Sequence, residues 1–199
     1  MEAHAADHGH MLEAHQSSKV NREWLGMVLF ISSELMLFGS FFMAYFFIRV
    51  VQGDPWMPEG QDLPIYVALA NSVILFSSSA TMHWATTGIK RNNRKALKVG
   101  LVLTILLGAT FFGIQLSEYF HLGFLPKDSA QASVFFSLTG LHGAHVVIGL
   151  IILLVVANRA FKGHYGPEKE KHWGVEIPGL YWHFVDVMWL FVFTTLYLL

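Results

Sequence analysis

The chain has 199 residues and a formal net charge of −1, with 54% of its residues hydrophobic and only 14% charged. That is too little polar surface for a soluble domain of this length, and the near-neutral charge excludes a broadly basic nucleic-acid binder. The absence of cysteine excludes disulfides, Cys-held iron–sulfur clusters and thiolate-bound copper or zinc in this chain.

Residues 1–23 form a polar tail carrying His4, His8, His10 and His15. They lack the apolar stretch of a cleavable signal peptide, so membrane insertion is expected to begin with the first span. Five apolar runs then follow, each long enough to cross a bilayer as a helix: Trp24–Val50, Pro64–Ile89, Leu97–Leu122, Gln131–Asn158 and Pro178–Leu199. They are continuous rather than alternating, which argues against barrel strands. Lipid offers the backbone no hydrogen bonds, so helices are the default. The predicted fold is an all-α membrane protein, a five-helix transmembrane bundle over residues 24–199. Pro178 is expected in the first turn of the last helix.

Orientation follows from the cations. Lys19, Arg22, Lys90, Arg91, Arg94, Lys95, Lys98, Arg159, Lys162, Lys169 and Lys171 flank one side of the predicted bundle, and only Arg49 and Lys127 flank the other. The positive-inside rule puts the N-terminus in the cytoplasm and the C-terminus outside. Trp24, Trp56, Trp84, Trp173 and Trp182 fall at predicted interfaces, as an aromatic belt should.

Glu34 lies inside the first span, WLGMVLFISSELMLFGSFFMAYFFIRV. At about 1.5 Å per residue it stands roughly 15 Å along the helix, near mid-bilayer. A lone carboxylate there costs at least about 2.5 kcal/mol, so it must be protonated, paired or functional. His142 and His145 in the fourth span reach similar depth and share one helix face. An imidazole facing the carboxyl satisfies both groups, either as a plain lock between helices or as a proton-handling pair. Haem or metal ligation by these two histidines is disfavoured, because haem takes ligands from opposite faces and metal sites take three or four.

His183 and Asp186 share a face of the last span and are expected to bridge to a neighbouring helix. Glu118 and His121, near the outer end of the third span, are expected to form an interfacial pair that reaches water by snorkelling. The tail histidines can collect protons at a membrane surface or simply be solvated.

Three segments together resemble subunit III of the haem–copper oxidases, most closely of cytochrome c oxidase: FISSELMLFGSFFMAYFF around Glu34, FFSLTGLHGAHVVIGL around His142 and His145, and LYWHFVDVMWLFVFTTLYLL around His183 and Asp186. QLSEYF around Glu118 adds a fourth. The resemblance implies a chain with no catalytic residue and no metal or redox centre of its own. Haems and copper belong to partner subunits I and II; this chain packs on subunit I, with subunit II and a small subunit IV as further partners. It also implies bound phospholipid, support of proton uptake, and a carboxyl at Glu34 that reacts with carbodiimides. The long form of the family has two further spans ahead of these, which enclose a lipid cleft. The resemblance therefore implies a cleft that is open here, or closed by another subunit, in the short bacterial form of a plasma-membrane oxidase. Three rivals stand beside it: the same subunit of a quinol oxidase, a b-type cytochrome ligated by His142 or His145, and a small transporter using Glu34. The lack of broken helices in two matching halves argues against the transporter.

Overall fold

The computed structural model describes residues 22–53, 63–165 and 169–199. Five helices carry the chain: α1 (Arg22–Gln52), α2 (Ile65–Lys90), α3 (Arg94–Tyr119), α4 (Ala130–Phe161) and α5 (Lys169–Phe193), which ends in a π-helical turn over Thr194–Leu198. All five are long and apolar enough to cross a membrane. Successive helices alternate in direction. At one end Arg49 Nη2 donates to the Leu199 carbonyl and the Tyr45 hydroxyl to Thr195 O at 2.7 Å. At the other, Lys90 Nζ pairs with Glu176 Oε1 at 3.4 Å.

The helix ends differ from the hydropathy runs for local reasons. Asn93 Oδ1 accepts from Ala96 N and caps α3, so that helix starts at Arg94 rather than Leu97. Ser129 does the same for α4 through Ala132 N. The fifth helix begins at Lys169, and Pro178 lies inside it rather than in its first turn. The segment ahead of Pro178 is polar but built of helix-forming residues, so it continues the helix past the apolar stretch that hydropathy detects. The proline removes one backbone hydrogen bond, a loss that neighbouring helices can absorb.

Small residues set the closest approaches. In the α2–α3 hairpin, a Cβ on Gly88 would lie 2.8 Å from Ala96 Cβ, and one on Gly100 would lie 2.8 Å from Ala85 Cβ. Thr81 Oγ1 and Thr104 Oγ1 meet across the same seam at 2.8 Å. Asn92 closes the hairpin with a positive φ of 56°. The core centres on α5, which packs on α1, α2 and α4. Trp182 is completely buried, with its ring in a notch left by Gly108 of α3 and Gly149 of α4. It therefore leaves the expected interfacial belt, because only glycine on both neighbours leaves room for an indole. Trp24 and Trp84 are half exposed, and Trp56 lies outside the described residues. α1 sits at the edge against α4 and α5, with Phe38 and Tyr45 as its buried anchors.

Candidate functional site

Glu34, Phe38 and Tyr45 recur at helical spacing and so share the one face of α1 that meets the bundle. On α4 the buried stripe runs Leu138, His142, His145, Gly149, Leu153. Where the two faces cross, Glu34 Oε2 lies 2.8 Å from His145 Nε2, with side-chain exposures of 17% and 8%. His145 Nδ1 lies 2.8 Å from Leu141 O, and a carbonyl only accepts, so Nδ1 carries a proton. The second contact then holds one further proton between Nε2 and Oε2. Whichever atom owns it, the pair is neutral as a unit, which suits a low-dielectric interior. The Phe38 ring lies 5.0 Å from the imidazole, so Leu141, Glu34 and Phe38 hold the ring, and the Tyr181 hydroxyl donates to the His145 backbone carbonyl at 3.2 Å.

His142 does not join this pair. Positions three apart on a helix differ by about 60° around its axis, enough in a bundle core to aim at different neighbours. His142 is fully buried between the Trp189 and Phe111 rings, with centroids at 4.9 and 5.9 Å, and neither ring nitrogen has a hydrogen-bond partner. His183 and Asp186 both turn toward the same residue of α2: His183 Nδ1 meets Ser79 Oγ at 2.7 Å, and the Asp186 carboxyl is buried beside that serine. His183, His83, Trp24, Lys90 and Glu176 line a cavity of about 230 Å³ at the Lys90–Glu176 end.

Glu118 corrects the snorkelling expectation. It is buried, 6% exposed, with neither carboxyl oxygen partnered, because it continues the α3 stripe Thr104, Gly108, Phe111, Gln115 into the bundle. His121, just past the helix end, is exposed, and its Nδ1 meets Ser117 O at 2.7 Å rather than Glu118. The two still line one cavity of about 240 Å³ with Ser117, Pro64, Val67 and Leu122. The tail histidines His4, His8, His10 and His15 lie outside the described residues.

Sequence reasoning passed over the indole anchors. Trp182 Nε1 donates to Ser78 Oγ at 3.0 Å and Trp189 Nε1 to Ser72 Oγ at 2.8 Å, which fixes the antiparallel register of α2 and α5. The signal was present: serines 72 and 78 on one span, tryptophans 182 and 189 on another, at nearly matching spacing.

Among the described residues no three His, Asp or Glu side chains converge as a metal set. An open groove of about 430 Å³ between α3 and α4, bordered by Phe112, Leu116, Gly140, Ala144 and Ile148, is lined almost wholly by carbon. Such walls suit an acyl chain, with Gln115 and Tyr119 the polar side chains on its lining.

These features define a multi-pass helical membrane protein with one bundle-facing acid–imidazole pair and no ligand cage among the described residues. The chain matches the cytochrome c oxidase subunit III family over residues 5–199. It is 38% identical to cytochrome c oxidase subunit 3 of Thermostichus vulcanus, with 98% of this chain and 92% of that protein covered. It is 40% identical to cytochrome c oxidase subunit 3 of Lycodon semicarinatus, covering 93% and 73%, and 39% identical to the probable cytochrome c oxidase subunit 3 of Rickettsia felis, covering 92% and 72%. The chain belongs to the cytochrome c oxidase subunit III family.

Proposed function

We propose that this chain is the non-catalytic subunit III of a proton-pumping haem–copper oxidase in a bacterial plasma membrane, an enzyme that takes electrons from cytochrome c and reduces oxygen to water. Haems and copper sit in subunits I and II; this chain packs on subunit I, with a small subunit IV as a further neighbour, and keeps the catalytic subunit working through repeated turnover. Its N-terminus and the Lys90–Glu176 end face the cytoplasm, and Leu199 faces outward. Phospholipid chains lie along the α3–α4 groove. The Glu34–His145 pair supports proton uptake, and the tail histidines His4, His8, His10 and His15 gather protons at the same surface.

The observation that carries this reading is the pair itself, 2.8 Å apart in a chain whose family match runs from residue 5 to residue 199. A neutral unit holding one mobile proton can relay charge without stranding an ion in lipid. The electron donor docks on another subunit, so the presence or absence of a dinuclear copper motif in the accompanying subunit II decides between cytochrome c and quinol.

The test is purification of the native complex and identification of the chains that migrate with it. Oxidase subunits I and II are expected. A chain that migrates alone overturns the reading, and a Soret band belonging to the isolated chain supports a b-type cytochrome instead.

A further inference from the structure

Buried polar atoms without a partner are rare in folded proteins, because each one left unmatched in an apolar interior forfeits the hydrogen bonds it made to water. Among the described residues, Asn71, Gln115, Glu118, His142 and Asp186, together with His172 near the start of α5, carry buried polar atoms with no partner in good hydrogen-bond geometry, the nearest hydroxyls being Tyr197 for Gln115 and Ser79 for Asp186. The first five are not scattered. Glu118 and Gln115 are one turn apart on α3, and Phe111 is one turn further. Asn71 Nδ2 donates to Phe111 O at 3.1 Å, leaving its Oδ1 unmatched. The Phe111 ring packs against His142 and Trp189. Asp186 is one turn from Trp189 on α5, and His183 one turn beyond that, bonded to Ser79. The file runs roughly 20 Å by helix rise. It ends at the Glu118–His121 cavity on one side and at the His183–His83 cavity on the other.

We propose that the seam between α2, α3, α4 and α5 binds a file of internal water molecules at Asn71, Gln115, Glu118, His142 and Asp186, entered from both end cavities and narrowed at a waist of Phe111, Trp189 and His142. The ligand is water because of how the groups are distributed. Among the described residues no three acids or imidazoles converge, so a single ion cannot serve them. The set mixes carboxyls, amides and an imidazole, and only a molecule that both donates and accepts matches all of them. Buried water in proteins takes this role, bridging polar groups that the chain leaves unmatched. The three waist rings are each completely buried and have centroids 4.9 to 5.9 Å apart, so the two halves of the file meet where aromatic packing is tightest. Through such waters Glu118 exchanges protons with one face of the membrane and Asp186 with the other. This is separate from the Glu34–His145 pair and does not depend on the oxidase assignment.

The test is radiolytic hydroxyl labelling of the native complex, in which radicals arise at internal waters as well as in bulk. Phe111 and Phe38 are the same residue type and are both 0% exposed, but only Phe111 borders the file. Phe111 is expected to oxidise severalfold faster than Phe38. Equal, slow labelling of Phe111 and Phe38 overturns the proposal. A cryo-EM map of the complex fine enough to show ordered water gives a second reading. Density within hydrogen-bond distance of Gln115 and Glu118 supports the file, whereas rotamers that pair these side chains directly with protein, with no density between, defeat it.

Discussion

At Glu34 and His145, two helix faces that each had to be buried deliver an acid and a base to the same place. The carbonyl of Leu141 fixes one ring proton, and the carboxyl contact must share the other. Glu34→Gln preserves this arrangement, because an amide N–H can donate to Nε2. Oxygen reduction by the complex is expected to stay nearly intact in that variant, with a shorter working life as turnovers accumulate. Outright loss of haem reduction would refute the supporting role. Glu34→Leu instead leaves Nε2 without a partner, and should destabilise the chain by about 1–3 kcal/mol relative to Glu34→Gln in thermal unfolding. Depth arithmetic on the sequence was enough to bring Glu34 near a histidine of the fourth span. It could not say which one, because His142 and His145 differ by only a fraction of a helix turn, and the choice belongs to where α1 crosses α4. Glu118 was misread for a related reason: its distance from the helix end suggested water, while its place on the α3 stripe pointed it inward.

At the scale of the helix, glycine decides how near two backbones come. Gly149 sits against the Trp182 ring, where an added Cβ would lie 2.9 Å from ring carbons. Gly149→Val should cost about 1–3 kcal/mol by overpacking and push the indole toward a more polar setting, seen as a red shift in its emission. Gly140, whose added Cβ would meet nothing, makes the matched comparison, and Gly140→Ala should leave the emission unchanged. The number and order of the helices were legible in the sequence, because continuous apolar runs of this length have one solution in lipid. Their ends were less so. Capping by Asn93 and Ser129 is a local exchange of one side chain for one backbone group, and Lys169–Glu176 is helical despite being polar. The indole–serine register of α2 and α5 was visible only as a coincidence of spacing until packing gave it meaning.

For the whole molecule, orientation is the property that the cation pattern speaks to most directly. Arg91 belongs to the hairpin at the Lys90–Glu176 end, Lys127 to the α3–α4 connection at the other. The chain has no cysteine, so single thiols can be introduced without a background. An impermeant thiol reagent should label Lys127→Cys in intact cells and Arg91→Cys only after the membrane is broken. The reverse pattern would invert the proposed topology and move the Glu34–His145 pair's nearest surface with it.

The completely buried indoles of α5 also bear on how the bundle comes together during synthesis. Trp182 and Trp189 fill spaces that α2, α3 and α4 leave for them, and the ribosome makes α5 after all three. The earlier helices must therefore wait in the membrane with serines 72 and 78 and the notch at Gly108 and Gly149 unfilled. A message cut short before codon 182 leaves a set of inserted helices with no keystone, a natural target for membrane quality control.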